Sequence, residues 1–147
     1  MKRILLMLIL CVASVLVHAQ TVSENDLPEP VQKKFKKMYS KVTDADWSSK
    51  DDAYTAEFLV NKAKYSISFN EKGEVVGKKE AVAIATLPQT VGPYMSKNHK
   101  GFKMKEAYKI TDEKKVVTYE VHSKNKAGDE VTAIFDNKGK FVKGGDE

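Results

Sequence analysis

Leu27-Pro28-Glu29-Pro30-Val31 returns 60 positions later as Leu87-Pro88-Gln89-Thr90-Val91, and Phe69-Asn70-Glu71-Lys72-Gly73 returns 66 positions later as Phe135-Asp136-Asn137-Lys138-Gly139. Between these landmarks Asp46-Trp47 matches Ala107-Tyr108, and Tyr54 matches Tyr119, in the same order. The shift grows by small steps, as loop insertions would make it. Such self-similarity predicts a tandem duplication of a unit of about 60 residues. A unit of that size is marginal alone, so the two are expected to pack as one body. The expected boundaries are 20–86 and 87–143, with 144–147 as a flexible tail.

The start of the chain predicts export. Met1-Lys2-Arg3 is basic, residues 4–17 are almost unbroken apolar sequence, and Val17-His18-Ala19 places small or branched side chains before Gln20. This is the pattern of a secretory signal peptide over 1–19. The apolar stretch of 14 residues falls short of the roughly 20 that span a bilayer. No stable membrane anchor is expected after cleavage, and the mature protein is expected to be periplasmic or secreted. Leu10, before Cys11, is too large for a lipidation site. Cys11 leaves with the leader, so disulfides, thiol catalysis and cysteine metal sites are excluded from the mature chain.

The mature chain carries 23 lysines against 20 acidic residues and no arginine, because Arg3 also leaves with the leader. Phosphate recognition usually recruits the planar fork of arginine, so nucleic acid is not an expected partner. The lysines read as a solvated, mixed-charge surface.

Each half opens with a helix signal. Asp26-x-x-Glu29 and Thr86-x-x-Gln89 have capping-box spacing, and Pro28 and Pro88 suit a first turn. Val31, Phe35 and Met38 follow at helical spacing, as do Val91, Tyr94, Met95 and His99 in the second half. Pro93 is expected to kink or delay the second helix. Strand patterns follow. Tyr54, Ala56, Phe58 and Val60 alternate with Thr55, Glu57 and Leu59, and Tyr65, Ile67 and Phe69 alternate with Ser66 and Ser68. Asn70–Gly73 reads as a turn, and a further strand is expected over about 74–84. In the second half, strands are expected around 102–110, 117–121, 131–135 and 141. The fold class is therefore α+β: two tandem repeats, each an N-terminal helix packed on an antiparallel β meander.

Leu-Pro at a helix start, an aromatic about twenty residues on, and Phe-[Asn/Asp]-x-x-Gly near the unit's end resemble the PepSY-like repeat of small secreted proteins of Bacteroidota. Leu27-Pro28, Trp47, Tyr54 and Phe69–Gly73 carry the resemblance in one half, and Leu87-Pro88, Tyr108, Tyr119 and Phe135–Gly139 in the other. It spans nearly the whole mature chain. It implies a fold similar to the beta-lactamase inhibitor protein, whose concave sheet face clamps a protein partner. This chain lacks the cysteines of that inhibitor and shows no match to its contact residues, so lactamase inhibition itself is not implied.

Chemistry is sparse. Glu120 and His122 share a strand face, but one carboxylate–imidazole pair without a third partner makes a poor metal or proton-transfer site. Asp44, Asp46, Asp51 and Asp52 lack the glycine and closing glutamate of a calcium loop. No catalytic residue, metal or cofactor is expected. The candidate site is the sheet face opposite the helices: Thr55, Glu57, Leu59, Ser66 and Ser68 from the first half, with Glu120, His122, Thr132 and Ile134 from the second. The expected function is a non-enzymatic module that binds an exported protein through this face, with a peptidase or other envelope enzyme as a target it would inhibit by occlusion. The alternative is a small-ligand or glycan site in a cleft between repeats lined by Trp47 and Tyr108.

Overall fold

Among the described residues, each strand pairs with its neighbours in sequence, and the result is one antiparallel sheet of nine strands. The structure is a computed structural model that describes residues 20–146. The expected leader, 1–19, lies outside the described residues. The order is β1 (Gln20–Thr21), α1 (Glu29–Met38), β2 (Ala45–Lys50), β3 (Ala53–Val60), β4 (Ala63–Asn70) and β5 (Val75–Val82). Then come α2 (Val91–Asn98), β6 (Lys103–Asp112), β7 (Val117–Lys124), β8 (Glu130–Asp136) and β9 (Phe141–Asp146). Each helix is thus followed by four strands. No helix among the described residues is long and apolar enough to cross a membrane.

Turn chemistry sets the register. Asp51-Asp52 and Asn61-Lys62 each have positive φ at both positions, which suits two-residue hairpin loops on a right-handed twist. Asp51-Asp52 therefore closes β2 onto β3. The strand β2 itself is absent from the sequence-based expectation, because Asp-Trp-Ser-Ser carries little apolar alternation. Asn70 accepts backbone hydrogen bonds from Lys72 and Glu74, both at 3.0 Å. Asp136 does the same for Lys138 and Lys140, both at 2.9 Å. The glycines of these two turns pack on helix starts. At Gly73 a Cβ would stand 2.6 Å from the Pro30 carbonyl oxygen, and at Gly139 it would stand 2.7 Å from Pro88 Cβ.

The helix starts differ from expectation. Neither capping box forms. Leu27 and Leu87, each before a proline, are extended (ψ 149 and 153), which separates Asp26 and Thr86 from the helices that follow. Asp26 instead ends a 3-10 turn, and the Thr86 hydroxyl donates to the Ala83 carbonyl at 2.7 Å. Because α2 begins only at Val91, Pro93 sits in its first turn, where its missing N–H breaks no helical bond. The expected outcome is thus the delay and not the kink: α2 starts two positions later than Gln89, the equivalent of Glu29 where α1 starts.

Two clusters make the core. Leu27, Val31, Phe35, Trp47, Ala56, Phe58, Ile67 and Phe69 pack under α1. Val91, Met95, Val121, Val131, Ala133 and Phe135 pack under α2. Tyr54, Tyr65, Tyr94 and Tyr119 are partly buried at the margins. Met38, expected in the stripe, is 42% exposed, and Leu27 fills the cluster from the other end of the helix. Trp47 is buried, with Phe35 edge-on at 5.0 Å. Between the clusters, on the helix side of β5, Lys78 and Glu80 form an ion pair at 2.5 Å.

The expected tail is also different. Gly144 to Asp146 continue β9, with Gly145 opposite Thr132 and Asp146 opposite Val131. A Cβ at Gly144 would meet the Thr132 carbonyl oxygen at 2.6 Å, so this glycine permits close strand approach.

Candidate functional site

Cross-strand pairing decides which residues share the face opposite the helices. Thr55 stands opposite Ser68, Glu57 opposite Ser66 and Leu59 opposite Lys64. Ser66 pairs with Lys79, and Lys79 with Ile110. Tyr108 pairs with Glu120, which pairs with Ile134, and His122 pairs with Thr132. Neighbours in a ladder point the same way. All nine candidate residues of the sheet face therefore lie on one continuous surface. Leu59 is 62% exposed, whereas Ile134 is half-buried among its neighbours.

The two halves meet at a polar network on this face. Lys79 Nζ donates to Glu120 Oε1 at 2.8 Å and stands 4.5 Å over the Tyr108 ring. His122 Nε2 lies 2.5 Å from the same Glu120 oxygen, and its Nδ1 lies 3.4 Å from Thr132 Oγ1. Tyr108 donates its hydroxyl to Glu106 Oε2 at 2.5 Å and meets His122 edge-on at 5.5 Å. Beside this network lies a hollow of about 360 Å³, walled by Asp46, Glu57, Leu59, Lys64, Ser66, Lys79 and Tyr108. At the far end Thr55 and Ser68 share a hydroxyl hydrogen bond of 2.8 Å.

Lys79 and Glu106 are part of the site that sequence reasoning missed. The run Val75–Val82 has no clean alternation, so its phase could not be read. Unbroken alternation from Phe102 and Met104 would put Tyr108 on the inner face. A bulge between Met104 and Glu106 adds one residue, which turns Ala107 inward and Tyr108 outward. This corrects the cleft alternative. Trp47 lies under α1 and Tyr108 lies on the opposite face of the sheet, so the two rings line no common cleft.

Burial pushes the Glu120 carboxyl up, but the hydrogen bonds and charges of Lys79 and His122 outweigh it and hold the group below the ordinary carboxylate range. Burial, reinforced by the hydrogen bond to Glu106, pushes the Tyr108 hydroxyl up to about 12. Glu120 accepts from two donors already, and both imidazole nitrogens face partners. The pair is thus engaged in structure. Among the described residues no group of three His, Cys, Asp or Glu side chains could hold a metal ion.

The depressed Glu120 value sets a pH dependence. Its contribution to stability is complete above the unfolded-state carboxyl value of about 4.3 and is lost as pH falls through the lower folded-state value. Urea unfolding should show the wild type more stable than Glu120→Gln at pH 5. That difference should shrink toward pH 3, and a difference independent of pH over this range would contradict the network.

The family model described as "Putative beta-lactamase-inhibitor-like, PepSY-like" matches residues 14–52 and 52–143. The chain belongs to the PepSY-like family. This PepSY-like chain is similar in structure to a "putative periplasmic" protein from Bacteroides eggerthii, with 18% identity, a TM-score of 0.71, and coverage of 82% of this chain and 88% of that one. A DUF2874 family protein from Bacteroides ovatus matches with 22% identity and a TM-score of 0.68 over 82% of this chain and 87% of that one. A BLIP-like protein from Bacteroides fragilis matches with 18% identity and a TM-score of 0.63 over 82% and 86%. At these identities the likeness is one of fold. No curated protein matches the chain in sequence.

Proposed function

We propose that this PepSY-like protein is an exported, non-enzymatic binding module whose open sheet face takes a protein partner and occludes part of it. It is built from two tandem helix-and-sheet repeats, 20–86 and 87–143. The packing of Gly73 on Pro30 and of Gly139 on Thr90, the equivalent position, supports that reading. The predicted leader and the description of the Bacteroides eggerthii protein support a periplasmic setting.

One observation carries the proposal. The face opposite both helices runs unbroken across the sheet, and residues of both halves converge at its centre through Lys79 and Glu120. The hydrogen bonds of Glu120, His122 and Tyr108 hold these side chains in place, which lowers the entropy lost on binding. Leu59 stands exposed at the rim of the hollow as an apolar contact.

The test is capture of partners from envelope and secreted fractions by the exported protein, with Leu59→Lys/Ile134→Lys as control. Leu59 is exposed, and a lysine at 134 would stand opposite Glu120, so the fold should survive. A partner bound by the wild type should bind the variant at least about tenfold more weakly by calorimetry. Equal binding by both would refute the role of this face.

A further inference from the structure

We infer that a lysine-lined groove beside α1 is a docking site for an anionic membrane surface, held by the phosphate head groups. The groove has a volume of about 620 Å³ and is shared by α1, the β4–β5 turn and the β6–β7 loop. Five lysines line it (Lys33, Lys34, Lys37, Lys72 and Lys115) against one carboxylate, Glu74. Glu74 is already engaged, accepting a hydrogen bond from Asn70 at 2.7 Å. Lys33 pairs with Glu29 across one helical turn. Lys34, Lys37, Lys72 and Lys115 have no ion-pair partner among the described residues.

This gathering is tertiary. Lys34 and Lys115 are far apart in the chain, and the fold brings them to one groove. The wall is also firm, because Gly73 packs so closely on Pro30 that no Cβ fits between them. Covering a sheet does not require such charge. The second helix buries Val91 and Met95 as α1 buries Val31 and Phe35, yet Lys97 is the one lysine between its ends.

The chemistry favours a bilayer over other polyanions. Lysine is a flexible point charge that suits a diffuse anionic surface, whereas discrete phosphate recognition favours arginine. The groove lining contains no aromatic residue on which a base could stack. Two of the exposed large apolar residues flank it in sequence: Met38 (42% exposed), next to Lys37, and Val116 (53% exposed), next to Lys115. Apolar side chains beside lysines suit the boundary between head groups and acyl chains. Docking there is reversible and leaves the open sheet face uncovered.

The test is sedimentation of the exported protein with vesicles of phosphatidylcholine alone or mixed with phosphatidylglycerol. Binding is expected to the mixed vesicles and to weaken with added salt. The variant Lys34→Gln/Lys37→Gln/Lys72→Gln/Lys115→Asn should bind at least about thirtyfold more weakly, since each lysine near an anionic surface is worth roughly fivefold. A charge-matched control, with Lys97, Lys103, Lys138 and Lys140 all changed to Gln, should stay within about threefold of the wild type. Lysine acetylation of the wild type provides a second readout that needs no variant, with Lys34, Lys37, Lys72 and Lys115 protected by mixed vesicles. Absence of vesicle binding, equal loss in both variants, uniform protection of all lysines, or binding of a DNA oligonucleotide without binding to vesicles would each overturn the inference.

Discussion

Phe69→Ala is expected to destabilise the protein by about 3 to 5 kcal/mol, the range for deleting a buried aromatic ring. Phe69 has no exposed surface and lies at the meeting point of helix and sheet, with Trp47 at 6.3 Å and Phe35 at 6.5 Å. The cavity has little freedom to collapse. Leu27 enters the same cluster just before the helix, and Gly73 holds the adjacent turn against Pro30. Since domains of this kind are stable by about 5 to 15 kcal/mol, one such change removes a large share of the total. Urea unfolding gives the value directly. Met38→Ala, at an exposed helix end, should change stability by less than about 0.5 kcal/mol. A cost below about 1 kcal/mol for Phe69→Ala would contradict the packing of α1 on the sheet.

Gly73→Ala should cost about 2 to 4 kcal/mol, from two separate effects. The residue has φ +76, which costs an L side chain about 1 kcal/mol. The added Cβ would also lie 2.6 Å from the Pro30 carbonyl oxygen and 2.8 Å from its carbon, and backbone atoms cannot swing aside. Gly101→Ala separates the effects, because φ there is +86 but nothing lies within 4 Å of the new methyl. That variant should lose only about 1 kcal/mol. Equal costs at Gly73 and Gly101 would show that the turn does not press on the helix start.

Much of the architecture was legible because its signals are local. Phe58, Ile67 and Phe69 in one half, and Val121, Val131 and Phe135 in the other, were assignable to the core from period-two alternation. Asn70–Gly73 announced its turn by composition. β2 escaped notice because Trp47 is the one large apolar residue in its six positions. The capping boxes misled because spacing alone ignores the extended backbone that Pro28 and Pro88 impose on the leucines before them. Gly144-Gly145 suggested fraying, whereas the lack of a side chain at Gly144 lets β9 run close beside β8.

The amino-acid order by itself determined the helices, the main strands, their turns and the phase of the candidate face within β3, β4, β7 and β8, since a side-chain period of two is a property of each segment. Only the tertiary structure decided that Lys79 and Tyr108 complete that face, and that four lysines with no ion-pair partner among the described residues meet in one groove. The physical reason is the same in both cases. A bulge reverses the phase of a strand without a periodic signal, and the position of one turn beside another depends on register accumulated across the whole sheet.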